Sequence, residues 1–179
     1  MMSERRLIVG TVGTDHHRFD RLVDWIDRWV SARSTEGSLP GFEVIVQHGT
    51  SRPPSIASGV ELLPTDELAA LITQAAAVVA CGPGTMMECR LAGLRPIAVP
   101  RRRELREHVD GHQVAFARLV AGRGLVELVE TETALARALD AAVADPTHYR
   151  IASPAEPAPG IARVGELVDR LVLGRNGRR

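Results

Sequence analysis

Apolar residues in this chain fall into two alternating kinds of segment. Short, nearly unbroken runs occur at Leu7-Ile8-Val9, Phe42 to Val46, Val78-Val79-Ala80-Cys81, Pro96 to Pro100 and Leu125 to Val129. Runs of this length that stop at glycine, proline or polar turn residues predict strands buried on both faces of a parallel sheet. Between them apolar residues recur every three or four positions. Phe19, Leu22, Val23, Ile26 and Val30 alternate with Asp20, Asp24 and Asp27, which predicts an amphipathic helix ending near Ser31. Thr65, read as an N-cap with Asp66 and Glu67 behind it, predicts a helix to about Ala76. Further helices are expected from Met86 to Ala92, from His112 to Ala121, and from a Thr131 cap to Asp145. Thr50 to Gly59, with Pro53-Pro54, reads as a loop, and Val60 to Leu63 as a short strand.

Strand and helix in alternation specify an α/β fold with a doubly wound, mostly parallel sheet. Residues 1–150 form the expected domain. Residues 151–160 are a proline-rich linker, and 161–179 carry a carboxyl-terminal amphipathic helix with Ile161, Val164, Leu167, Val168, Leu171 and Val172 on one stripe. In such sheets ligands bind outside the carboxyl ends of the strands. The loops to watch are therefore 10–18, 47–52, 82–85 and 100–113.

Composition narrows the chemistry. The 22 basic and 22 acidic residues cancel, which removes the electrostatic case for nucleic acid as partner. Every basic residue is arginine, so there is no lysine nucleophile. Two cysteines exclude a disulfide framework and a four-thiolate zinc site. No apolar run approaches the ~20 residues of a membrane span, and a cytoplasmic location is expected.

Gly82-Pro83-Gly84-Thr85 ahead of a helix offers bare backbone and unpaired N–H groups to an anion, with Glu88 one turn further in. A carboxylate there can accept both hydroxyls of a ribose. Thr85-x-x-Glu88 equally spells a capping box, in which Glu88 only bonds back to Thr85. Both readings stand at this point. Gly10 to Thr14 is a second small-residue turn, without the spacing of a dinucleotide or phosphate loop. His16 and His17 follow it as weak catalytic candidates. His108-x-Asp110-x-His112 gives three potential metal ligands, but with no fourth ligand and no partner behind them, so no metal site is expected. Arg101-Arg102-Arg103 with Arg106 reads as a solvated, glutamate-paired loop or a phosphate clamp.

In order, Val12 to Val23, Gln47-His48-Gly49, Gly82-Pro83-Gly84-Thr85 with Glu88, Gly93-x-x-Pro96-x-x-Val99-Pro100 and His112-Gln113 resemble the carboxyl-terminal, donor-binding half of family 28 glycosyltransferases. The resemblance covers roughly residues 7–130. It is nearest to the short split members, such as the catalytic subunit for dolichol-linked sugars and the exopolysaccharide transferases of bacteria. It implies a Rossmann-like half of a GT-B fold that binds a UDP-sugar as substrate, with no cofactor. Glu88 would meet the uridine ribose. Gln113, with His112 beside it, would lie near the donor sugar. Gly82, Gly84 and Thr85 would border the diphosphate, and Gly13 and Thr14 would form the first turn. The implied reaction is inverting, metal-free transfer to a lipid-linked acceptor, with a membrane-anchored acceptor-binding subunit as partner holding the chain at the inner membrane face. His112 joins His16 and His17 as a weak candidate base, because relatives draw much of that site from the acceptor half. A non-catalytic sugar-nucleotide-binding module is the alternative. Pro83, Gly111 and the arginine cluster depart from the family pattern.

Overall fold

The computed structural model describes residues 6–35 and 41–151; the linker and carboxyl-terminal helix expected at 152–179 lie outside the described residues. Six strands form one sheet: β1 Arg6–Thr11, β2 Phe42–Gln47, β3 Ser58–Val60, β4 Ala75–Ala80, β5 Ile97–Ala98 and β6 Glu127–Leu128. Their spatial order is β3-β2-β1-β4-β5-β6, and every pairing is parallel. The helices are α1 Asp20–Thr35, α2 Thr65–Gln74, α3 Pro83–Leu91, α4 His112–Ala121 and α5 Glu132–Ala144. This order reverses between β1 and β4, which opens a crevice there at the carboxyl ends of both strands.

The centre of the sheet explains itself from its residues. Leu7, Ile8 and Val9 of β1 and all of β4 are buried, as strands covered on both faces must be. Ala75 and Ala76, expected to end a helix, instead belong to β4. Alanine is the best helix former, but here pairing of Ala75 with Leu7 and burial between β1 and β5 outweigh propensity. Helix passes to strand with no loop, since Ala75 is already extended at φ −66°, ψ 141°. Nor does Thr65 cap α2. Pro64 holds that position, and Thr65 is the first helical residue.

Helix α1 runs past its expected end at Ser31 to Thr35. It packs its Leu22, Val23, Ile26 and Trp29 inward and is tied to α5 along its side. Arg28 donates two bonds to Glu132 at 2.6 and 2.9 Å, Trp29 Nε1 donates to Asp140, and Arg33 also pairs with Asp140. The aspartates on its outer face do more than face solvent. Asp27 accepts backbone N–H bonds from Ser55, Ile56 and Ala57, fixing the proline-containing loop. That loop delivers β3 two residues earlier than expected, at Ser58–Val60 beside Ile45–Gln47.

Candidate functional site

A cavity of about 420 Å³ opens at the β1/β4 crevice. Its size is that of an ordinary small-molecule site. Thr11, Val12, Gly13, Thr14 and Asp15 line it from the turn after β1, and Cys81, Gly82, Gly84, Thr85 and Glu88 from β4 into α3. Gln47, Leu62, Leu63, Thr65 and Leu68 supply one side, while Arg101 and Gln113 supply the other. Seven of the eight binding residues expected from the sequence are thus brought together. His112 is not; its side chain is half exposed and turned to Asp110.

The α3 end of the cavity settles the local reading of Glu88. Gly82 is the N-cap and Pro83 the first helical residue, so Thr85 sits inside the helix and cannot act as its cap. The capping box is therefore absent, and Glu88 is left on the cavity wall one turn along α3. Pro83 has no N–H to lose at that position, and its ring presets the helical φ. The first-turn N–H groups of Gly84 and Thr85 have no intrahelical acceptor and lie at the positive end of the helix dipole. Apart from the adjoining backbone, no protein atom lies within 4 Å of where a Cβ would stand at Gly82 or Gly84, so their outer face is bare. Gly13 differs, because its φ of +75° requires glycine, and this turn is what folds the β1 loop over Cys81.

Arg101 overturns the solvated-loop reading of the arginine cluster. It is fully buried. Its guanidinium donates to the carbonyls of Val12 at 2.7 Å, His17 at 2.6 Å and Glu107 at 3.0 Å, and stacks over the Phe19 ring at 4.9 Å. No carboxylate lies within ion-pair distance of it among the described residues, and its Nε has no hydrogen-bond partner. Glu107 is committed elsewhere, to two bonds from Arg21 and one from the Arg102 N–H. Arg102 pairs with Glu130, as the glutamate-paired reading expects. The side-chain oxygen of Gln113 accepts the Arg101 backbone N–H at 3.2 Å, which seats that residue on the cavity wall.

On the rim, Asp15 accepts both the backbone N–H and the Nδ1 of His17, at 2.7 and 2.6 Å. His108 Nε2 approaches its other oxygen at 3.2 Å. Burial raises the Asp15 carboxyl, but the His17 bonds and the Arg101 charge outweigh it and hold it at about 2, below the ordinary 3.8. A depressed carboxyl contributes stability that is complete above about pH 4 and is lost as the pH falls toward 2. Asp15→Asn should flatten that acid limb in a melting-temperature profile while leaving the neutral region level in slope. Unchanged acid sensitivity would show that Asp15 is not the group responsible.

The sequence places Thr11, Asp15, Gln47 and Arg101 in the loops to watch without assigning any of them to the wall, and it does not single out Cys81 for the wall at all. Thr11 and Gln47 are the last residues of their strands, a position that signals a site in this topology, and Cys81 directly follows β4. Nothing in a run of arginines distinguishes the buried one.

The glycosyltransferase family 28 C-terminal domain model matches residues 10–164. No curated protein sequence matches the chain. Among solved structures, the glycotransferase of kitacinnamycin superposes with a TM-score of 0.60 at 18% identity, over 94% of this chain and 43% of that one. MurG of Acinetobacter baumannii gives 0.54 at 15%, over 95% and 51%. The UDP-GlcNAc 2-epimerase of Neisseria meningitidis, bound to UDP-GlcNAc, gives 0.53 at 10%, over 96% and 45%. These likenesses establish a Rossmann-like half of a GT-B fold. The chain spans about half the length of those structures or less.

Proposed function

The chain belongs to the glycosyltransferase family 28 C-terminal domains, and from that premise we propose that it is the donor-binding part of an inverting glycosyltransferase that uses a UDP-sugar. The acceptor in this reading is a lipid-linked sugar, held by a second, membrane-anchored subunit. No helix among the described residues is long and apolar enough to cross a membrane.

One observation carries the reading: the free N–H end of α3 and the Glu88 carboxylate lie one helical turn apart on the same cavity wall. A nucleoside diphosphate has the matching chemistry, an anionic diphosphate adjoining a ribose with two hydroxyls. The α3 N–H groups face the diphosphate and Glu88 accepts from the ribose. Leu62, Leu63 and Leu68 offer an apolar side to the base. In the transfer step the acceptor hydroxyl oxygen bonds to the anomeric carbon, its proton passing to a base on the acceptor-binding side, as the bond from that carbon to the diphosphate oxygen breaks and UDP leaves. Charge develops on the leaving diphosphate, where the helix end and the buried Arg101 cation are already in place to stabilise it. Arg101 suits this because, among the described residues, no carboxylate lies within ion-pair distance of it.

Calorimetric titration of UDP into the wild-type chain and Glu88→Gln tests the assignment. The variant should bind UDP more weakly by about 1–3 kcal/mol, the worth of a hydrogen bond to a charged acceptor. Folding stability should change little, because Glu88 caps nothing. Unchanged UDP affinity in the variant would refute the role of Glu88, and no UDP binding by the wild type would refute the function.

A further inference from the structure

Two loops that the donor chemistry leaves unused meet at the cavity rim, one holding Asp15, His16 and His17 and the other His108, Asp110 and His112. Each trio brings its ligand atoms within 4.8 Å of one another. The trios are also joined. The Asp15 carboxylate has His17 Nδ1 at 2.6 Å on one oxygen and His108 Nε2 at 3.2 Å on the other. His16 Nδ1 stands 3.7 Å away, on an exposed side chain. Behind His108, its Nδ1 faces Asp110 Oδ1 at 3.4 Å, and Asp110 in turn holds His112.

We propose that Asp15, His17 and His108 bind one divalent transition-metal cation, with Asp110 supporting His108 from behind. The sequence spacing His108-x-Asp110-x-His112 offers three ligands from one loop and lacks both a fourth and a support. The fold supplies a different set. Its central carboxylate comes from a loop more than ninety positions earlier, and of the trio only His108 remains a ligand, with Asp110 behind it and His112 on Asp110.

The donor geometry fits. Imidazole and carboxylate ligands about 2.0–2.2 Å from a shared ion lie roughly 3.0–3.4 Å from each other, so small side-chain rotations open the space an ion needs. One carboxylate with two imidazoles suits zinc, cobalt and manganese ions, better than magnesium or calcium, which prefer all-oxygen sets. Proton placement fits as well. Without an ion, the Asp110 N–H donates to His108 Nδ1, so the ring proton is on Nε2 and faces Asp15. When Nε2 binds the ion, that proton is carried on Nδ1 instead, where Asp110 Oδ1 accepts it. This is the carboxylate–histidine–metal arrangement that orients a ligating ring. Charge fits too, since the carboxylates of Asp15 and Asp110 stand on opposite sides of the His108 ring. His16 or water completes the coordination.

The consequence for the molecule is mechanical. The ion pins the loop after β1 to the loop before α4, from which Gln113 reaches the cavity. This holds whether or not the cavity takes a UDP-sugar.

Cobalt(II) titration of the chelator-stripped 179-residue protein tests it, followed by visible absorption and by melting temperature. One equivalent should bind, with a ligand-field spectrum and a raised melting temperature, and zinc should displace it. His17→Ala and Asp15→Asn should abolish the spectrum. Asp110→Asn should weaken binding by about 10–100-fold, as expected for an outer partner. His148→Gln, on an exposed histidine outside the cluster, should leave binding intact. Circular dichroism verifies that each variant is folded, and Asp110→Asn keeps the test open if His108→Ala fails to fold. Absence of saturable binding by the wild type would overturn the proposal. So would binding that survives His17→Ala, or that is lost equally in His148→Gln.

Discussion

Arg101→Met should cost the fold about 3–5 kcal/mol, the largest stability loss expected from any loop residue. The chain of cause begins with burial. Arg101 has no exposed surface, so removing its guanidinium leaves the carbonyls of His17 and Glu107 without donors, and that of Val12 with only the weak Cys81 thiol at 3.0 Å, all with restricted access to water. Each buried carbonyl deprived of its partner costs about 1–3 kcal/mol, and methionine recovers only part through its contact with Phe19. Two of those carbonyls belong to the turn that carries Gly13, Thr14 and Asp15. UDP affinity in whatever remains folded should therefore fall as well. Arg101→Lys keeps the charge but presents a point donor in place of a planar fork, and should fall between wild type and methionine. Urea unfolding measures the series. A loss below about 1 kcal/mol for the methionine variant would mean that the loop does not depend on this side chain.

The second large effect concerns turnover. The isolated chain should bind the donor and transfer no sugar above background, and addition of the proposed acceptor-binding subunit should restore transfer by several orders of magnitude. The cavity lies open at the crevice, bounded by one half of a fold that its structural neighbours present at about twice the length. A lone half positions no acceptor hydroxyl and excludes no water. Orientation of two reactants can be worth effective concentrations of about 10⁵ M or more, so its loss removes most of the rate. UDP release, measured with a lipid-linked acceptor and with or without the partner, checks this. Full turnover by the chain alone would contradict the two-part reading.

Much of the architecture is legible in the sequence because burial in a parallel sheet leaves a mark. Leu7-Ile8-Val9, Val44 to Val46 and Val78 to Ala80 are apolar without alternation, and each stops where the chain must turn. The turns then locate the crevice, and with it Gly13, Gly82, Gly84 and Glu88. What fails to show is whatever depends on contacts across the chain. Ala75 and Ala76 carry a helical preference that only pairing with β1 overrides. Thr85-x-x-Glu88 spells a capping box, and only the helix start at Pro83 dissolves it. Arg101 looks like its neighbours Arg102 and Arg103 until Val12 and His17 are seen to close over it. His112, placed near the sugar by family resemblance, turns to Asp110 instead. The contact between Asp15 and His108 has no sequence signal, because nothing in either loop names the other.

The β1/β4 cavity is proposed as a sugar-nucleotide site. Crystals of the chain grown with UDP test it most directly. Nucleotide density is expected in the cavity, with the diphosphate at the N–H groups of Gly84 and Thr85 and the ribose hydroxyls within hydrogen-bond distance of Glu88. Nucleotide bound elsewhere, or ribose remote from Glu88 with the diphosphate away from α3, would contradict it.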